Sequence, residues 1–221
     1  IIFRIYFLFL EIHFHQINTT TKMIIDLHCH PNLKSFNSGF PTPTANMWDK
    51  IQHVIDNKLA KSISEITEHI SKESQCNLDS MVAGNVRVFQ ISLYPTERGF
   101  LHLRNVPTTL FGRKRINVAQ EVVTGYSASS IAEQKKHYHY FEELNAEYNY
   151  VKNQQGKSPD GKNEFVIVSN YTALEKALQK KNTYIGIITI EGAHVFGTGA
   201  PETDLLTKQK LIEQITKNIQ A

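Results

Sequence analysis

Met23-Ile24-Ile25-Asp26-Leu27-His28-Cys29-His30-Pro31 is a short apolar run that ends in a polar cluster. Met23 to Leu27 reads as a buried strand, and Pro31 stops it because proline has no N–H to donate to a ladder. Side chains at i and i+2 of a strand point the same way. His28 and His30 therefore project together, with Asp26 on their face and Cys29 on the other. Two adjacent imidazoles can reach one metal ion, at Zn–N distances near ~2.0–2.1 Å. The same spacing also fits two solvated histidines at a strand end.

A second stretch has the same design. Tyr184-Ile185-Gly186-Ile187-Ile188-Thr189-Ile190 is rich in β-branched residues and runs into Glu191-Gly192-Ala193-His194. Strands apolar on both faces suit a parallel sheet covered by helices, and ligands of such sheets gather at the C-terminal strand ends. Asp26, His28, His30, Glu191 and His194 all sit at or near such ends. Glu191 reads as a ligand carboxylate, or as the cap of a following helix.

The chain has 221 residues, 41% of them hydrophobic, and a net charge of +3. That is enough for one ordinary domain or part of a larger one. The charges are interspersed, which points to neither nucleic acid nor a membrane surface as partner. Two cysteines, Cys29 and Cys76, make no disulfide framework and fit a reducing compartment. Residues 1–22 do not resemble the rest. Ile1 to Leu10 is too short to span a membrane, and Glu11 follows it directly. The segment reads as non-native sequence ahead of a start at Met23, in a cytoplasmic protein. The alternative is the remnant of an export leader.

Between the two strand ends, Asn32 to Met47 is a loop by composition. Met47–Ile55 and Ile63–Ile70 carry helical spacing, with His53 and His69 as surface residues. Asn85–Leu93 alternates as a strand and ends in a loop containing Glu97 and Arg98, read as a solvated ion pair. Ile131–Gln155 reads as one long helix with an aromatic stripe. Glu164–Ser169 is a strand, Tyr171–Lys181 a helix, and Thr203–Ile219 a last helix. Regular alternation of β and α argues for a parallel sheet with right-handed crossovers. Four such units would make half of an eight-stranded barrel.

A strand ending in His-x-His and a later one ending in Glu-Gly-Ala-His together resemble the amidohydrolase superfamily. Within it, they resemble the membrane (renal) dipeptidase family of metallopeptidases. The resemblance implies the N-terminal part of a TIM-like (β/α)8 barrel and a metal-dependent hydrolase with Zn2+, two ions in that family, acting on a small peptide. It implies His28 as the first ligand, His30 in place of the family's aspartate, and Glu191 as the bridging carboxylate. His194 matches a motif residue that is not carried over as a ligand. Asp26 is the carboxylate that would hold a histidine ligand from behind, or a structural residue. The family's remaining ligands and its acid/base aspartate would lie beyond Ala221, so residues 23–221 read as the first part of a longer chain, inactive alone and open to oligomerisation. The rival enzyme is a metal-dependent phosphoesterase of the polymerase-and-histidinol-phosphatase type, which also begins Asp-Leu-His-x-His but continues differently from Pro31-Asn32-Leu33. The non-enzymatic rival is a barrel remnant that binds a partner through its aromatic helix.

Overall fold

The computed structural model describes residues 23–40, 43–51, 76–102, 120–121, 123–136, 139–196, 209, 212–213 and 215–217. The segment 1–22, residues 52–55 of the expected helix 47–55, all of the one at 63–70 and most of the one at 203–219 lie outside them, as do His53 and His69; residues 47–51 are turn and coil where helix was expected. The strands are β1 (Ile24–Cys29), β2 (Val86–Leu93), β3 (Gly156–Lys157), β4 (Glu164–Ile167) and β5 (Thr183–Ile190). The helices are α1 (Leu33–Asn37), α2 (Leu78–Ala83), α3 (Arg98–His102), α4 (Ala128–Gln134), α5 (Tyr140–Asn153) and α6 (Tyr171–Leu178), followed by a 3-10 turn, Ala193–Phe196. No helix among the described residues is long and apolar enough to cross a membrane.

The sheet runs β1-β2-β5-β4-β3. All neighbours are parallel except the short β3–β4 pair. The class is α/β, but a barrel is not shown. In a (β/α)8 barrel, consecutive strands are neighbours. Here β5 inserts between β2 and β4, so the third and fourth major strands exchange places. Composition explains the central position: Tyr184, Ile185 and Gly186 are buried and the residues after them are partly so, whereas Ile24, Ile25 and Leu27 leave β1 as an exposed edge. The strand with least to lose from burial on both faces takes the middle.

Alternation along β2 divides the core. Phe89, Ile91 and Leu93 pack with Phe165 of β4 and Tyr184 and Ile188 of β5 under Leu78 and Met81 of α2 and Leu144, Tyr150 and Val151 of α5. Val88, Val166, Ile185 and Ile187 face the opposite way, under Ala173, Leu174, Ala177 and Leu178 of α6. The side chain of Asn170 caps α6 by accepting from the Ala173 N–H at 2.9 Å. Asn85 and Asn182, at φ 52° and 56°, lead into β2 and β5, where asparagine tolerates the left-handed turn better than most residues. The expected helix 131–155 is two helices: α4 ends at Gln134, and α5 starts at Tyr140 after His139 leaves helical geometry (φ −123°, ψ 58°).

At Gly186 side chains from both neighbouring strands, β2 and β4, close over the backbone. A Cβ there would lie 2.6 Å from Ile91 Cδ1 and 2.9 Å from Phe165 Cε2, and both of those residues are fully buried. Gly186→Ala should therefore cost about 1–3 kcal/mol through overpacking. Urea unfolding is the check, and a variant as stable as the parent would show that the β2–β5–β4 packing is looser than described.

Candidate metal centre

The C-terminal ends of β1, β2 and β5 build this site. β1 is not regular: Asp26 pairs with Phe89 and Cys29 with Ile91, three residues against two, so a bulge lies between them. Asp26 and Cys29 thus stand opposite core-facing residues of β2. The bulge removes Asp26 from the histidine face where simple alternation puts it. Its Oδ1 accepts instead from the main-chain N–H of His28 at 3.0 Å. Asp26 therefore steadies the backbone of the ligand strand.

His28 and His30 converge on one oxygen. Their Nε2 atoms lie 3.2 and 3.0 Å from Glu191 Oε2, and the three residues form a cluster with ligand atoms all within 4.8 Å of one another. β5 delivers Glu191 because it runs beside β2, and the Glu191 N–H donates to Leu93 O at 3.0 Å. The chain then turns at Gly192, φ 82°, where a Cβ would collide with the His194 ring at 2.4 Å. The glycine of Glu-Gly-Ala-His is a steric requirement.

The hydrogen bonds behind the rings fix the protons. His30 Nδ1 faces Ser92 O at 2.9 Å. A carbonyl only accepts, so Nδ1 carries the hydrogen and Nε2 presents a lone pair to Glu191. Behind His28 the chain is longer: Nδ1 to Ser92 Oγ at 2.9 Å, Ser92 Oγ to Thr189 Oγ1 at 3.2 Å, and Thr189 Oγ1 to Ile91 O at 3.2 Å. It ends on a carbonyl, so the links donate in that direction and the neutral His28 ring carries its hydrogen on Nδ1. Burial holds the His30 imidazole below its usual pKa, against the pull of Glu191, and so favours the neutral ring. When both rings are neutral with Nδ1 protonated, two lone pairs and a carboxylate oxygen face one another at hydrogen-bond distance. A cation relieves that arrangement, and separations of 3.0–3.2 Å are close to the roughly 3.3 Å between two ligands of one tetrahedral zinc.

His194 is turned away from this cluster. Its Nε2 donates to Pro95 O at 2.8 Å, and its Nδ1 lies 3.6 Å from Glu97. Tyr94 stands between, with its ring edge-on to both His30 and His194. Glu97 therefore faces a histidine; the side chain of Arg98 lies outside the described residues. On the far side of β1, the Cys29 thiol donates to Gln90 O at 3.3 Å. The influence of Cys76 and burial push the Cys29 thiol up. Cys29 in turn lowers Cys76, helped by the N–H of His30.

The sequence analysis missed two buried carboxyls beneath the site. Glu147 of α5 is 1% exposed and accepts from Asn32 Nδ2 at 2.5 Å and from the Tyr94 N–H at 2.9 Å. It joins the loops that follow β1 and β2. Glu143, one turn earlier, takes the Tyr126 hydroxyl and Gln134 Nε2. A signal was available: Tyr140, Glu143, Leu144, Glu147, Tyr150 and Val151 lie at helical spacing on one face, so both acids fall inside an apolar stripe. Burial pushes Glu147 up to about 8 and Glu143 up to about 7. Unfolded glutamates titrate near ~4.3. The folded state therefore holds protons that the unfolded state gives up, and this contribution to stability is full below ~4.3 and is lost as pH rises through 7 and 8. Glu147→Gln should flatten the decline in urea midpoint between pH 5 and pH 8.5. A slope identical to the parent's would mean that Glu147 keeps an ordinary pKa.

No protein-family model, no curated protein and no solved structure matches this chain. The site is therefore read from its own geometry and chemistry.

Proposed function

We propose that this chain is a metal-dependent hydrolase that binds a divalent cation, zinc by the nature of the donors, through His28, His30 and Glu191. The observation that carries the reading is the convergence of two imidazole Nε2 atoms, each on a ring whose Nδ1 is hydrogen-bonded from behind, on one carboxylate oxygen. Neutral histidines held from behind and a carboxylate are the donor set of catalytic zinc sites, which leave a coordination position open. When bound, such an ion supplies Lewis acidity. The chain's own residues do the holding. Ser92 and Thr189 set the His28 tautomer, the Ser92 carbonyl sets that of His30, and Asp26 braces the strand between them. Strand ends gather ligands in any parallel sheet, so this reading does not need the barrel.

Hydrolysis of an amide in a short peptide is the activity we assign. It is supported by the Glu-Gly-Ala-His and His-x-His motifs and by a donor set suited to polarising a carbonyl. The Asp-Leu-His-x-His start also keeps phosphoester hydrolysis in view.

Co2+ titration of the metal-free chain should show one tight site with a tetrahedral visible spectrum. Ser92→Ala should weaken it about 10–100-fold, the usual effect of removing a ligand's hydrogen-bond partner. His30→Ala and Glu191→Gln should weaken it further. Chelator-sensitive turnover of dipeptides identifies the peptidase. Turnover of phosphate monoesters alone transfers the protein to the phosphoesterase class, and binding without either activity removes the catalytic assignment. Failure of the parent chain to take up Co2+ or Zn2+ would sink the metal reading altogether.

A further inference from the structure

Asn32 is fully buried, and its Oδ1 is the buried side-chain polar atom that has no hydrogen-bond partner among the described residues. The other end of the amide, Nδ2, lies 2.5 Å from Glu147 Oε1. That separation is short for N–H···O, about 2.7–3.2 Å, and ordinary for O–H···O, about 2.5–3.0 Å. Glu147 is fully buried, and the charge that acts on it is that of Glu143, one turn earlier on α5. Glu143 in turn faces the Tyr126 hydroxyl and Gln134. No cation pairs with either acid among the described residues. A buried carboxyl beside a second one, with no cation to offset it, keeps its hydrogen. That hydrogen needs an acceptor. The two ends of a carboxamide have nearly the same size, so Asn32 turned about its last bond presents Oδ1 to Glu147 within the same outline. One turn of the amide satisfies the orphaned oxygen and the acid's hydrogen together.

We infer that Glu147 is a positioning residue of the metal centre, a carboxylic acid that keeps its hydrogen and donates it to Asn32 Oδ1. The inference rests on the metal reading of His28, His30 and Glu191. Geometry links the acid to His30 from two sides. Asn32 follows His30 across Pro31, and the His30 carbonyl accepts from the Leu33 N–H at 3.3 Å, which closes the turn. On the other side, Glu147 Oε2 accepts from the Tyr94 N–H at 2.9 Å, and the Tyr94 ring lies edge-on to His30 with centroids 5.9 Å apart. One carboxyl therefore spaces the turn after His30 from the residue packed against its ring. A neutral acid suits both contacts, because its O–H reaches Asn32 while its carbonyl oxygen takes the Tyr94 N–H. Loss of the hydrogen leaves a buried anion beside Glu143 and sets the Asn32 oxygen against another oxygen. The grip on the turn loosens, and His30 loses its aim at Glu191.

The test uses the full chain with Co2+ as the probe. The infrared difference spectrum of the parent against Glu147→Gln at pH 7 should show a protonated-carboxyl band that the variant lacks. Glu147→Gln keeps one donor and one acceptor in the same outline, so at pH 7 it should bind Co2+ as the parent does. Glu147→Leu fills the space with neither and should bind about 10–100-fold more weakly, the range seen when a ligand's support is disturbed. Burial pushes Glu147 up to about 8, so parent affinity should fall severalfold relative to Glu147→Gln between pH 7 and pH 8.5. The histidine ligands titrate alike in both proteins and cancel in that ratio. Absence of the band, a ratio that stays flat across pH, or a folded Glu147→Leu that binds like the parent overturns the proposal. If Glu147→Leu does not fold, the band and the ratio decide. A parent that takes up no Co2+ overturns the metal reading and the positioning role together, and the infrared band reports the state of Glu147 separately.

Discussion

Val88 to Leu93 of β2 lie beside Ile185 to Ile190 of β5 without a break in register. The candidate site depends on this pairing. It sets Thr189 next to Ser92, so that the hydroxyl chain behind His28 can form, and it carries Glu191 one residue past Leu93 to meet both rings. Because side chains alternate along a strand, a slip of one residue would send Glu191 to the other face of the sheet. The register is held by apolar residues on both faces, Phe89, Ile91 and Leu93 on one and Val88, Ile185 and Ile187 on the other. The energy that fixes the chemistry therefore comes from groups that take no part in it.

A second constraint works from below. Glu147 is fully buried and accepts from the loops after β1 and β2, so it ties His30's neighbour Asn32 to Tyr94, the ring beside His30. An acid in that position is expensive to ionise. Two apolar residues of similar size would pack without that cost, but they would not join two main-chain loops at defined distances. The arrangement trades stability for the position of the segment from which the histidines project. Local violations of packing rules of this kind concentrate around sites with chemistry to perform.

The strand order decides how the motif residues meet. A motif is a few residues at the end of a strand, and the physics that makes such an end a binding site does not depend on whether the sheet closes. The open order β1-β2-β5-β4-β3 keeps the two ligand strands, β1 and β5, on either side of β2. It does so by moving β5 inward, next to β2. In a sequential barrel the third strand would separate them. The observed order brings Glu191 beside the two histidines by direct pairing of β5 with β2.

The sequence by itself determined the α/β class, the positions of the four main strands and the three residues that converge. Apolar runs ending in ionisable groups are a local pattern, and it can be read without knowing what lies beside them. Which strands are neighbours is a different kind of fact. It depends on how much each strand gains from burial on two faces compared with one, and only the assembled sheet decides that competition. The bulge that turns Asp26 away from the histidine face is likewise a property of β1 against β2, invisible in β1 alone. The break between α4 and α5 was hidden because residues on both sides of it are good helix formers. The meeting of Asn32 and Tyr94 with Glu147 needed the tertiary structure entirely. It joins residues far apart in the chain, and hydrogen bonds between such residues leave no periodicity for a sequence to display.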